Sequence, residues 1–128
     1  MTDGTRDMER GNGGAGEIAI GLRMRYVVLH HTGIAHPHFD LMLEPPDAKA
    51  LLTWRIALPP GEWASAGVGT AERLPDHRLV YMTFEGAISG NRGNVTRVAG
   101  GEAMVVGMDG ERVRLRLEGG CEVALPVV

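Results

Sequence analysis

Four of the chain's five histidines lie within nine positions, and acidic residues follow them closely. The segment HHTGIAHPHFDLMLE spans residues 30–44, and its histidines are His30, His31, His36 and His38. Asp40 and Glu44 come next, and the fifth histidine, His77, lies in PDHRLVY. Neutral imidazoles and carboxylates that converge on one point are typical ligands of Mn²⁺, Zn²⁺ or Fe²⁺. The segment therefore suggests a metal site, and the alternative is a histidine-rich polar turn without a ligand.

The spacing of these residues favours convergence if residues 38–44 form a strand. Polar and apolar residues alternate in HFDLMLE, and residues two apart on a strand share a face. His38 and Asp40 are then expected to project from the same face. His30 and His36 are expected to have no ligand role, because one neighbours His31 on a strand and the other lies in a loop.

Two further elements must position the remaining histidines. RMRYVVLH, residues 23–30, reads as a buried strand because its centre is apolar and β-branched. If it pairs with residues 38–44 around the TGIAHP loop, His31 comes close to His38 and Asp40. His77 precedes RLVYMTF, residues 78–84, which also reads as a strand. This strand would bring His77 to the site from elsewhere in the chain.

The rest of the chain reads as short strands joined by turns rich in Gly or Pro. The predicted strands are residues 23–30, 38–44, 50–58, 78–84, 95–99, 102–108, 111–119 and 121–127. About eight short strands without a long helix predict an all-β fold, a compact antiparallel β-barrel or sandwich. Residues 1–22 are polar and rich in Gly, and we expect a disordered N-terminal tail before a single barrel domain at 23–128.

Composition limits the functional classes. The 128 residues suit one domain, and the formal net charge of −3 argues mildly against broad nucleic-acid binding. The single cysteine, Cys121, excludes an internal disulfide. The sequence has no apolar run of the roughly 18 to 20 residues that span a bilayer and no apolar signal segment at its start. We therefore expect a cytoplasmic monomer that does not bind membranes.

The chain resembles the 3'-phosphoesterase domain of bacterial DNA ligase D and its small stand-alone relatives. The blocks RYVVLHH, HFDLMLE, TW, PDHRLVYMTFEG and SGNRGNVT follow the order and approximate spacing of that family's motifs, from about Arg25 to Arg97. The resemblance implies a compact β-barrel that binds one divalent cation, typically Mn²⁺, with Zn²⁺ or another divalent ion as alternatives. It also implies a DNA-repair activity in non-homologous end joining. The family removes a 3'-terminal ribonucleotide and converts a 3'-phosphate to a 3'-OH on DNA or RNA ends.

The resemblance also assigns roles by position. The family's metal ligands correspond to His31, Asp40 and His77, and its phosphate-contacting residues correspond to His38 and Tyr81. The loop before His38 is one residue longer here than in the ligase D pattern. His30 therefore stays an alternative to His31 as the first ligand.

Two departures from the family pattern bear on activity. Met42 stands where the family has an arginine that holds the phosphate, and the lysine expected after TW has no counterpart. Loss of such a contact typically lowers the rate by two to three orders of magnitude, about 100- to 1000-fold. Arg55 and Arg92 are the preferred candidates to replace the missing charge.

Three functional classes follow from these observations. The first is a hydrolase, a metal-dependent 3'-end-processing phosphoesterase that acts on primer-template ends, with a separately encoded ligase or polymerase as a possible partner. The second is a catalytically degenerate barrel that binds nucleic-acid ends or such a repair partner without turnover. The third is an unrelated small metal-binding barrel of the cupin kind, which the block DHRLVYMTFEG argues against.

Overall fold

The computed structural model describes residues 18–128, and these residues form one curled antiparallel sheet. Within this range there are eight strands: β1 (Arg23–Thr32), β2 (His38–Glu44), β3 (Leu51–Ile56), β4 (Glu72–His77), β5 (Gly86–Ala87), β6 (Asn94–Met108), β7 (Arg112–Leu117) and β8 (Glu122–Pro126). The helical elements among residues 18–128 are a 3₁₀ turn, Pro60–Glu62, a short helix α1, Trp63–Ala66, and a 3₁₀ helix, Leu79–Met82.

The strands are ordered β4–β3–β2–β1–β6–β7–β8, and β5 pairs with β6. Every pairing is antiparallel, and the sheet curls into a half-barrel. The predicted all-β antiparallel fold of about eight strands is therefore confirmed. No helix among residues 18–128 is both long enough and apolar enough to cross a membrane.

One face of the sheet carries the larger hydrophobic core. The alternation in β2 directs Leu41 and Leu43 to this face, where they pack with Trp54 of β3 and Trp63 of α1. Both indole N–H groups donate to backbone carbonyl oxygens, Trp54 to Pro126 at 2.6 Å and Trp63 to Leu58 at 2.8 Å. These bonds satisfy the polar atoms of two fully buried rings, as burial of a donor requires.

The opposite face carries a smaller apolar cluster next to polar residues. Val27 and Leu29 of β1 pack with Met42 of β2, and Met82 of the 3₁₀ helix covers them. The same face continues toward the β1–β2 loop with Asp40, because residues two apart share a face. This second face therefore positions the candidate site.

The structure differs from the predicted strands in two regions of the chain. Residues 78–84 were predicted as a strand, but Leu79–Met82 is a 3₁₀ helix, and the preceding strand is β4 at Glu72–His77. Residues 95–99 and 102–108 were predicted as two strands, but they belong to one long strand, β6. Its pairing with β1 changes register between Val28 and Leu29, which indicates a β-bulge.

The predicted tail at residues 1–22 is only partly described. Residues 1–17 lie outside the described residues, so the predicted disorder there stays a prediction. The remaining part contacts the sheet, since the backbone N–H of Gly21 donates to the carbonyl oxygen of Val105 at 2.8 Å. Ile18 and Leu22 pack against the larger core. The folded domain therefore begins a few residues before Arg23.

Candidate metal centre

The β1–β2 hairpin brings His31 and His38 together. They are directly opposite each other in the register, and their ring centroids are 4.9 Å apart. Asp40 is opposite Leu29 and shares the face of His38, as the period of a strand requires. The hairpin predicted from the sequence is therefore confirmed, including the approach of His31 to His38 and Asp40.

Hydrogen bonds to backbone carbonyl oxygens fix one nitrogen of each imidazole. His31 Nε2 lies 2.8 Å from the Arg92 oxygen, and His38 Nδ1 lies 2.9 Å from the His36 oxygen. A carbonyl oxygen only accepts, so each of these nitrogens carries the hydrogen. In the neutral rings the other nitrogens, His31 Nδ1 and His38 Nε2, then have free lone pairs. Such outer bonds orient histidine ligands in metal sites.

Asp40 faces both free lone pairs with a buried carboxylate. Its Oδ2 lies 3.8 Å from His31 Nδ1, and its Oδ1 lies 3.3 Å from His38 Nε2. The residue is 4% exposed, and its Oδ1 has no hydrogen-bond donor within the described part of the chain. The 3.3 Å contact is an ion pair only if His38 is doubly protonated. With neutral His38 and ionised Asp40, two lone pairs oppose each other, and a shared cation would relieve the repulsion.

Burial controls the ionisation of this carboxyl group. Desolvation raises the pKa of Asp40 above its ordinary value, and the positive charges that His38, His77, His31 and Arg55 can carry partly oppose the shift. A buried carboxylate with an unpaired oxygen is costly unless a charge compensates it. The Asp40 side chain is therefore arranged for a partner of positive charge.

The three side chains form a candidate metal-binding group. One ligand atom from each of His31, His38 and Asp40 lies within 4.8 Å of the other two. To reach one ion at the usual distance of about 2.0–2.2 Å, the three ligand atoms would come somewhat closer together than this. Two imidazoles and one carboxylate suit Mn²⁺, Zn²⁺ or Fe²⁺, and a set of three leaves coordination positions open for substrate or water. The donor set and the unpaired oxygen both fit a divalent cation.

A cavity of about 520 Å³ opens beside this group. Its lining includes His31 and Asp40 together with three residues from β4 and the segment after it, His77, Arg78 and Tyr81. Tyr81 lies on the 3₁₀ helix and not on the strand of His77 as predicted, yet the two rings are 6.0 Å apart between centroids. Tyr81 therefore lies at the same cavity as His77, but a 3₁₀ helix places it there and not the predicted strand.

The loop before β6 supplies the opposite wall. Arg92 lines the cavity, and its Nε donates to the Ser89 oxygen at 2.7 Å. Gly93 follows with a φ of +86°, and a Cβ there would lie 2.2 Å from the Thr32 oxygen and 3.3 Å from His31 Nε2. Only glycine permits this close approach, which places the Arg92 carbonyl on His31.

The predicted ligand set and the observed grouping differ in one member. His77 was assigned as the third ligand, but the group contains His38 in its place. The Nδ1 of His77 lies 2.9 Å from the Pro75 oxygen, so its Nε2 is the free nitrogen. His77 and Tyr81 line the same cavity as Asp40. Both His38 and His77 are therefore candidates for the third ligand.

The arginine candidates differ in their position relative to the cavity. Arg92 lines the cavity, whereas Arg55 does not, although it is opposite Asp40 in the β2–β3 register. The Arg55 side chain is 47% exposed and its Nη1 lies 3.9 Å from Glu72. Arg78, which the sequence did not prefer, lines the cavity and has its guanidinium carbon 5.9 Å from the Tyr81 ring. The sequence signal for a role of Arg78 at this cavity was its position directly after His77.

The remaining residues of the histidine segment lie elsewhere. His30 stacks on Phe39 with ring centroids 4.3 Å apart, and His36 is exposed in the loop. Glu44 accepts hydrogen bonds from Arg25 at 2.6 and 2.8 Å. The candidate group of described residues contains His31 and neither His30 nor His36, which favours His31 over His30 as the first ligand.

No known family model matches the chain, and no curated protein is significantly similar to it in sequence. The chemical interpretation therefore relies on the geometry of the described residues and on the motif resemblance.

Proposed function

We propose that the chain is a metal-dependent phosphoesterase that processes 3' ends of DNA or RNA, removing a 3'-terminal ribonucleotide or a 3'-phosphate. The observation that carries the proposal is the buried carboxylate of Asp40, whose unpaired Oδ1 faces His38 Nε2 and whose Oδ2 faces His31 Nδ1, beside a cavity lined by arginines. This arrangement combines a cation site with a site for an anion. A phosphate group bound to a divalent cation satisfies both, and the motif resemblance points to the same substrate.

His31, His38 and Asp40 are the residues that would hold the cation, with Mn²⁺ as the first candidate. When bound, a divalent ion supplies Lewis-acid polarisation of a phosphate oxygen and lowers the pKa of a water molecule. The role of the protein is to keep the three ligand atoms in place. The backbone oxygens of His36 and Arg92 do so by fixing the two rings.

Arg78, Arg92 and Tyr81 would position the phosphate in the cavity. A guanidinium can donate two hydrogen bonds to phosphate oxygens, and the tyrosine hydroxyl can donate one. Met42 also lines the cavity but is only 1% exposed and packs in the smaller apolar cluster. The charge that the family arginine would supply at this position is therefore expected from Arg78 and Arg92.

His77 would act as the general acid. Its Nδ1–H is directed to the Pro75 oxygen, which leaves Nε2 as the nitrogen that can gain a proton and pass it to the leaving oxygen at the 3' carbon. The leaving group of a 3'-phosphate is a sugar alkoxide, and protonation as the bond breaks avoids that charge. His77 lines the same cavity as Asp40, as this role requires.

An end-processing assay tests the proposal. A labelled primer-template with a 3'-phosphate or one 3'-terminal ribonucleotide is incubated with the protein, with Mn²⁺ or with EDTA, and the products are separated by gel mobility. We expect Mn²⁺-dependent conversion to a 3'-OH, and loss of conversion in Asp40→Asn. Binding of ends without conversion would favour the degenerate barrel, which predicts affinity without turnover.

A further inference from the structure

A second cleft of about 360 Å³ adjoins the cavity of the candidate metal centre. Four residues, Arg78, Tyr81, Ile88 and Ser89, line both spaces, so the two compartments share a wall. The second cleft adds Val80 and Phe84 to this wall. Its surface is therefore more apolar than that of the first cavity, which contains Asp40 and His77.

The second cleft offers flat and apolar contact surfaces. The Tyr81 and Phe84 rings are perpendicular, with centroids 5.9 Å apart, so that they present a ring face and a ring edge at an angle. Val80 is 50% exposed and adds an accessible apolar side chain to the cleft. Arg78 adds a guanidinium beside the Tyr81 ring. Aromatic rings with a neighbouring arginine are the usual platform for nucleobases.

We propose that this cleft binds the nucleobase at the 3' end of the strand whose phosphate lies in the first cavity. The inference rests on the proposed function, because that function provides the strand. A nucleotide joins an anionic phosphate to a flat apolar base through a short sugar. The two compartments match these parts, because a cavity with arginines suits the phosphate and the adjoining apolar cleft suits the base. Arg78 contacts both compartments and is suited to the phosphate on one side and the base on the other.

Recognition in this cleft depends on the presence of a base more than on its identity. Val80, Tyr81 and Phe84 provide apolar and π surfaces, and every base has a π face. The cleft therefore selects a nucleotide end over an end that lacks a base. It also distinguishes a nucleic-acid 3'-phosphate from inorganic phosphate or a simple alkyl phosphate.

The test compares two oligonucleotides that differ only in the terminal base. Both carry a 3'-phosphate, one on a normal nucleotide and one on an abasic residue, and their dissociation constants are measured by fluorescence anisotropy with Mn²⁺ present. We expect the normal end to bind roughly 5- to 100-fold more tightly, as one stacked base provides. Turnover of both oligonucleotides is measured in parallel.

Two variants and a matched control test whether the tighter binding of the normal end arises in the second cleft. Val80→Ser removes apolar surface at an exposed position, and Phe84→Ala removes a ring; both should bring the ratio of the two dissociation constants close to one. Val98→Ser makes the same change at a valine of β6 that is 45% exposed and lines neither compartment, and it should keep the full ratio.

The outcomes separate this inference from the proposed function. Turnover of both ends with equal affinity would overturn the base site and leave the phosphoesterase intact. Base-dependent binding without turnover of either end would support the cleft and overturn the enzymatic proposal. Absence of binding to either end would overturn both. A ratio that survives Val80→Ser and Phe84→Ala would place the base elsewhere and overturn the inference.

Discussion

The Nε2 atom of His38 lies 3.3 Å from Oδ1 of Asp40, while the other ring nitrogen of His38 is already paired with the His36 oxygen. When the ring is neutral and Asp40 is ionised, no hydrogen lies between the two atoms. The contact then needs either a proton shared by the two side chains or a metal ion. Since Asp40 is buried and His31 approaches it from the other side, a metal ion accounts for all three residues at once.

The proposed roles of His38 as a metal ligand and His77 as the general acid give the first prediction. His38→Ala removes an atom of the ligand group, so we expect Mn²⁺ affinity to fall at least about tenfold. His77→Ala leaves the group intact, so Mn²⁺ should still bind while turnover falls roughly 100- to 10,000-fold. Isothermal titration with Mn²⁺ and the end-processing assay measure the two effects.

His36→Ala is the matched control, since this exposed histidine should affect neither measurement through its ring. Loss of Mn²⁺ binding in His77→Ala, with binding kept in His38→Ala, would support the assignment by motif resemblance and contradict the geometry.

The buried carboxylate gives a prediction about stability without metal. Burial raises the pKa of Asp40, so the folded protein binds a proton there more tightly than the unfolded chain does. The metal-free protein therefore loses stability as the pH rises from the ordinary carboxyl pKa through the raised value. Asp40→Asn has no such loss, and above this window it should be more stable by about 1–3 kcal/mol.

Urea denaturation with EDTA, at acidic and at mildly alkaline pH, measures this difference. Below the window the two proteins should converge. Saturating Mn²⁺ should reverse their order at the higher pH, since a ligand at 100 times its dissociation constant stabilises by about 2.7 kcal/mol. A metal-free wild type that is more stable than Asp40→Asn at the higher pH would show that Asp40 already has a satisfactory partner.

Gly93 gives a prediction about the support of the ligands. A Cβ at this position would lie 2.2 Å from the Thr32 oxygen, and the positive φ adds strain. Gly93→Ala should therefore displace the Arg92 carbonyl from His31 and weaken Mn²⁺ binding roughly 10- to 100-fold. Gly61→Ala is the control, because a Cβ there meets nothing within 4 Å. Equal affinities in the two variants would mean that the Arg92 oxygen does not position His31.

The arginines give the last variant prediction. Arg92→Ala removes a cation from the cavity, and we expect turnover to fall about 100- to 1000-fold. Arg55→Ala should change turnover far less, because that side chain is half exposed and lies near Glu72 outside the lining. Steady-state rates on a 3'-phosphate end compare the two. The reverse order would identify Arg55 as the replacement for the arginine that Met42 displaces.

The hairpin part of the site was predictable from the sequence, because strand periodicity and hairpin pairing depend on residues that are close together in the chain. The period of two in residues 38–44 placed His38 and Asp40 on one face, and a short loop left His31 opposite them. The position of His77 relative to this group depends on the pairing of β3 with β4, which is irregular between Leu51 and Thr53. No local pattern specifies that irregularity, so the sequence alone does not give the position of His77 relative to the hairpin residues.

The 3₁₀ helix was missed for a similar reason. RLVYMTF contains residues typical of strands, but contacts distant in sequence hold the backbone in another form. Arg97 of β6 donates from Nη1 to the Met82 oxygen at 3.2 Å, and its backbone N–H donates to Glu85 at 2.6 Å. The Gly100–Gly101 pair separated two predicted strands, but both residues pair with β1. Tertiary pairing overrode local preference in each case.

The most direct test of the central claim is a Mn²⁺ titration of the wild-type protein followed by electron paramagnetic resonance. The account predicts one tightly bound ion per chain, with magnetic coupling to two imidazole nitrogens, and loss of this coupling in the His31→Ala, His38→Ala double variant. Absence of tight binding, or a bound ion without nitrogen coupling, would contradict a metal centre built from His31, His38 and Asp40.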